Sequence, residues 1–91
     1  MNRSFIQQIV NYKINHITPK ELVQLAANQG IRISKNEAER VIAIVRSEKV
    51  NITNKKQINR LFLKIKKEVN PHAMKQVEQL LATYYKQLTD S

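Results

Sequence analysis

The sequence predicts an all-α fold, a compact five-helix orthogonal bundle with short connections, formed by residues 1–91 as a single helical domain. Three observations carry that expectation. Helix starts are spelled out as an aliphatic residue, a capping hydroxyl or amide, and an acid or amide three positions after the cap. Apolar residues then recur at alternating spacings of three and four, the period of one helix face. Gly occurs once and Pro twice, with Gly30 placed to end a helix and Pro19 and Pro71 placed to begin one.

Each element follows from these signals. The first helix, over 4–15, carries Phe5, Ile6, Ile9 and Val10 on a broad apolar stripe that continues to Ile17, with Lys13 near its middle. The second, over 19–29, opens at the capping box Thr18-Pro19-Lys20-Glu21, where Ile17 can staple onto Leu22 and Gly30 supplies the left-handed residue past the end. The third, over 35–48, repeats the box at Ser34 and Glu37. The fourth, over 55–69, starts from Asn54 with Gln57 in the acid's place. The fifth, over 71–88, starts at Asn70-Pro71 and repeats Met74, Val77, Leu81, Tyr84 and Leu88, which suits a central helix packed across the others. Its opposite face, Gln76, Gln79, Thr83 and Gln87, is polar yet uncharged, so the stripe could also serve as a seam for a second protomer. In the connections, Ile31, Ile33, Val50 and Ile52 alternate as extended plugs for the core, since two isolated short strands would be marginal.

A chain of 91 residues buries about 60 to 65% of its unfolded surface, enough for one core and not two. The 42% apolar content is that of a globular domain. Without Cys there is no disulfide, thiolate metal site or cysteine nucleophile. No apolar run approaches the roughly 20 residues that span a bilayer, and the first residues lack a signal-peptide pattern. A bacterial cytoplasmic protein is therefore expected. Sixteen Lys and Arg against seven Asp and Glu give a net charge of +9. Residues 1–50 hold eight cations and four acids and residues 51–91 hold eight and three, so the excess is spread along the chain.

The local maximum is the fourth helix. Over 54–67 there is no acid at all, and at about 100° per residue Ile58, Leu61, Phe62, Ile65 and Val69 share one face while Lys56, Arg60, Lys64 and Lys67 gather opposite. Such a face is either solvated or contacts an anion, and these four cations are the candidate nucleic-acid-binding residues. Replacing Lys56, Arg60 and Lys67 by Glu is expected to leave the fold intact. Membrane-surface binding is disfavoured because the apolar face is needed for the core. Lys13 is explained by a stem lying on apolar surface with its ammonium reaching water or helix-end carbonyls, the alternative being an anion-binding lysine at the mouth of a groove. A helix-turn-helix reader does not fit residues 19–48: the positions that should be apolar after Gly30 are Asn36 and Glu39. His16 and His72 lack a partner at metal-ligating spacing, no glycine-rich phosphate loop or nucleophile elbow occurs, and no cofactor, metal or catalytic residue is expected.

The pattern N-x-K-I-N-x-I-T-x-x-E-L over 11–22, I-x-I-S over 31–34, Ala38, Val-Arg at 45–46 and V-N-I-T-N over 50–54 resembles the YqfT-like family of short uncharacterised proteins of Bacillus-type bacteria. The resemblance spans nearly the whole chain and implies a bacterial cytoplasmic helical protein with no catalytic residues to carry over. Asn11, Lys13 and Asn15 match its opening signature. Two functions follow as expectations: a non-catalytic module contacting RNA or DNA backbone, or a protein-interaction or self-assembling module whose charge keeps it soluble, with a homodimer less favoured than a monomer.

Overall fold

Capping chemistry places the elements. The computed structural model describes residues 3–90, and among them five helices run as α1 (Arg3–His16), α2 (Pro19–Asn28), α3 (Lys35–Arg46), α4 (Lys55–Glu68) and α5 (Pro71–Asp90), with no strand. At Ser34 the capping box is complete: the Glu37 N–H donates to Ser34 Oγ at 3.1 Å and the Ser34 N–H donates to Glu37 Oε1 at 3.0 Å. Thr18 Oγ1 accepts from the Glu21 N–H at 3.2 Å, and Asn54 and Asn70 accept from Gln57 and Ala73 at 3.1 and 2.6 Å. At Gly30, φ is +72°, the Gly30 N–H reaches Ala27 O at 3.0 Å and the Ile31 N–H reaches Ala26 O at 2.8 Å. That is a Schellman motif, closed by the buried side chains of Ala26 and Ile31.

Most helix ends fall within one residue of expectation, and two differ by two residues. Helix α3 stops at Arg46 because Ser47 turns its hydroxyl onto Ile44 O at 2.6 Å, which frees Glu48 from the helix. Helix α5 runs on past Leu88 to Asp90.

The core joins α2 to α5 through Leu22, Ala26, Val41, Ile42, Leu61, Ile65, Ala73 and Leu80 together with Ile17 of the α1–α2 connection, and α1 packs against it through Ile14. Ile31, Ile33 and Val50 enter it from extended connections, so the plugs form and no strand pair does among the described residues; Ile52 is only half-buried. Helix α5 packs on α4, α1 and α2, while α3 bridges α2 and α4. The radius of gyration of 12.4 Å matches the roughly 12 Å of a compact chain this long. Helix α1 departs from its expected stripe: only Ile6 and Val10 are buried within it, and Phe5 is 53% exposed. With Tyr12, 67% exposed, Phe5 forms an aromatic ridge on the outside of α1.

Candidate functional site

The cationic arc of α4 is built by the helix period. Leu61 and Ile65 are buried, and Ile58, Phe62 and Val69 pack against the core, so the opposite side is held outward as a fixed surface. Lys56, Arg60 and Lys67 lie exposed on it, Lys64 is half-buried at its edge, and Lys55 and Lys66 extend it on the other flank. Leu63 stands within this arc, 64% exposed. Lys56 and Lys67 are eleven residues apart, three helical turns, or about 16 Å along the axis.

The structure divides these residues. Arg60 makes a two-pronged pair with Glu48, Nη1 to Oε2 at 2.6 Å and Nη2 to Oε1 at 2.7 Å. The Arg60 bonds, then a bond from Gln57, hold the Glu48 carboxyl down at about 2, and Lys64 adds a smaller attraction. Arg60 is thereby engaged within the chain, which corrects the expectation for the triple charge reversal: Arg60→Glu would set two carboxylates against each other. Lys55, Lys56, Lys66 and Lys67 have no acidic partner, since the ion pairs among the described residues are Arg60–Glu48 and Lys13–Glu21.

Lys13 turns out to have an anion of its own. Its Nζ donates to Glu21 Oε2 at 2.7 Å, in place of the expected water or helix-end carbonyl. That bond raises the lysine's affinity for its proton and lowers that of the Glu21 carboxyl, whose other oxygen accepts from the Thr18 hydroxyl at 3.2 Å. The stem lies against an apolar cavity of about 110 Å³ at the meeting of the five helices, lined by residues such as Ile14, Leu22, Val41, Leu61 and Leu80, with Tyr84 beside Lys13.

Sequence reasoning gave no structural role to a polar seam that organises the approach to α4. Asn15, one helical turn from Asn11, presents its amide to Val50 as a strand would: Nδ2 donates to Val50 O at 2.9 Å and Oδ1 accepts from the Val50 N–H at 2.8 Å. Asn11 Oδ1 accepts from the Ile52 N–H at 2.7 Å. From α4, Gln57 Oε1 accepts from the Asn51 N–H at 2.8 Å while its Nε2 reaches Lys49 O at 2.8 Å and Glu48 at 2.9 Å. The signal available was a pair of amides at i and i+4 flanking an apolar stripe. Arg46 and Arg40 are also spent internally, donating to Ile17 O at 2.9 Å and to Glu68 O.

The histidines sit at the surface: His16 stacks on Tyr12 with ring centroids 4.1 Å apart, and His72 lies 3.4 Å from Gln76. Among the described residues no three His, Cys, Asp or Glu converge as metal ligands, and no helix is long and apolar enough to cross a membrane.

With this geometry in view, comparison with known families places the chain. The model of the family described as protein of unknown function (DUF2624) matches residues 1–85. The chain belongs to the DUF2624 family. The match runs from α1 through most of α5 and takes in both the polar seam and the α4 arc, so both lie within the DUF2624 unit. No curated protein and no solved structure is detectably similar to the chain.

Proposed function

We propose that this protein is a non-catalytic cytoplasmic binding module that contacts nucleic-acid backbone through the exposed side of α4. One observation carries the reading: Lys55, Lys56, Lys66 and Lys67 lie exposed on a helix whose inner face is fixed in the core, and none has an acid within ion-pair reach. Cations left without internal partners on a chain of net charge +9 are free to replace the counterions of a polyanion. Of the four sequence candidates, Lys56 and Lys67 are the primary contacts, Lys64 is peripheral, and Arg60 acts by holding Glu48 away from the phosphates. The apolar face of α4 is consumed by packing, which argues against insertion into a membrane surface. The finer kinship with YqfT-like proteins of Bacillus-type bacteria is part of this proposal and rests on the 11–22, 31–34 and 50–54 patterns.

Fluorescence anisotropy with mixed RNA and duplex DNA tests it. Binding at about 50 mM salt should weaken steeply as salt rises, with a log-log slope near −0.9 per duplex phosphate neutralised. Lys56→Glu with Lys67→Glu should abolish it while the circular dichroism spectrum stays helical. Wild-type protein that binds neither nucleic acid at low salt removes the proposal.

The aromatic ridge favours a second reading, a protein-interaction or self-assembling module. Phe5 and Tyr12 stand exposed on one side of α1, with half-buried Ile9 between them. Sedimentation equilibrium separates the branches, since a single species near 10.6 kDa at high micromolar concentration excludes a homodimer.

A further inference from the structure

We infer that the ligand is a single-stranded nucleic acid, its phosphates on the α4 cations and its bases stacked on the aromatic ridge of α1, which rests on the α4 reading and extends it to strandedness. The ridge has the geometry of a stacking platform. Phe5 and Tyr12 are seven residues apart, two turns of helix or about 10 Å, so both rings leave the same side of α1. Tyr12 is already half of a stack: its ring lies on that of His16, with centroids 4.1 Å apart and planes 20° from parallel, and His16 Nδ1 donates to Tyr12 O at 2.7 Å. With 67% of Tyr12 exposed, the ring face away from His16 is open to a base. A single strand has unpaired bases to offer such rings, whereas a duplex keeps its bases stacked on one another.

Charge ties the ridge to α4 and selects the occupant. Residues 1–20 and 49–67 contain no Asp or Glu, and the seam joins these two stretches, since Asn15 holds Val50 and Asn11 accepts from the Ile52 N–H at 2.7 Å. The acids nearest that joint in the chain, Glu21 and Glu48, are each held in an ion pair. Between ridge and arc the connection exposes only Lys49, Asn51, Thr53 and Asn54, cationic or neutral polar residues along which a phosphate chain can pass. Glu78 meets α1 at Gln7, on the α5 side and roughly 140 to 160° around the helix from Tyr12 and Phe5. A second copy of the chain suits the ridge less well, because a two-fold contact there would set one acid-free stretch against another.

The test is fluorescence anisotropy at about 50 mM salt with one labelled mixed-sequence strand of about twelve nucleotides, and with the duplex formed from it. Phosphate attraction alone favours the duplex, whose charge is denser. The strand should nevertheless bind at least about tenfold more tightly. Tyr12→Ala and Phe5→Ala should each weaken the strand about tenfold while duplex binding and the helical circular dichroism spectrum stay unchanged. Tyr12→Phe keeps the ring and should keep the strand's affinity. A duplex that binds as tightly as the strand, or alanine variants that leave the strand's affinity intact, overturns the inference and leaves the α4 reading standing. Wild-type protein that binds neither form removes both. A wild-type dimer that Tyr12→Ala converts to monomer in sedimentation equilibrium, with no loss of strand binding, assigns the ridge to a second protomer and also overturns it.

Discussion

Two polar regions border α4, and they are built on opposite terms. In the seam where α1 meets residues 48–54, the polar side chains are used up: Asn11, Asn15 and Gln57 each answer backbone groups of the connection, and Glu48 answers Arg60. On the outer side of the same helix, Lys55, Lys56, Lys66 and Lys67 answer nothing in the chain. The seam lies against the core, where an unpaired donor or acceptor carries its full desolvation cost, whereas the outer arc is in water and its cations cost little. Density of charge therefore misleads in this protein. In the seam it is mostly neutral amides that hold the connection in place, and the cations left without a partner on the outer arc are the ones available to a ligand.

The largest expected effect breaks the seam. Asn15→Ala leaves both the N–H and the carbonyl of Val50 without their partner and should cost about 2 to 3 kcal/mol, read as a lower denaturation midpoint. A cost below about 0.5 kcal/mol, the range of an ordinary surface change, would mean that the seam is no different from the outer arc.

Next come the caps. Ser34→Ala and Thr18→Ala should each lose about 0.5 to 2 kcal/mol, with Ser34 the larger because its box is reciprocal and because Glu37 also accepts from Asn70 at 2.9 Å. Equal midpoints for both variants and the wild type would detach stability from the capping network.

The Glu48–Arg60 pair sits where the two regions touch and can be read by pH. The folded-state carboxyl titrates at about 2 against an ordinary 4.5, so between these values the unfolded chain binds the extra proton. Stability from this pair is thus present above about pH 4.5 and is lost as the pH falls toward 2. Glu48→Gln should flatten that part of the stability profile relative to wild type, and an unchanged slope would show the pair to be fully screened. The smallest effect belongs to the outer arc: Lys56→Ala and Lys67→Ala should stay within about 0.5 kcal/mol of wild type. A larger loss from either would move that residue from the ligand side of the comparison to the structural side.

The sequence by itself determined where the capped helices begin and which face of α4 turns inward. Capping at Thr18, Ser34, Asn54 and Asn70, the left-handed Gly30 and the three-four spacing of α4 are decided by residues within one or two turns of each other, so they are legible before any fold exists. Even the cationic face could be drawn in advance, since helical period alone sets it. Only the tertiary structure decided which of those cations are spent. Arg60 meets Glu48 across twelve residues, Lys13 meets Glu21 across eight, and Asn15 meets Val50 across thirty-five, and each meeting depends on how separate elements dock. The same docking exposed Phe5, which the local stripe had assigned to the core, and left the cavity beside Lys13. Docking minimises exposed apolar area and unpaired polar groups over the whole chain at once, a balance that no window of sequence contains.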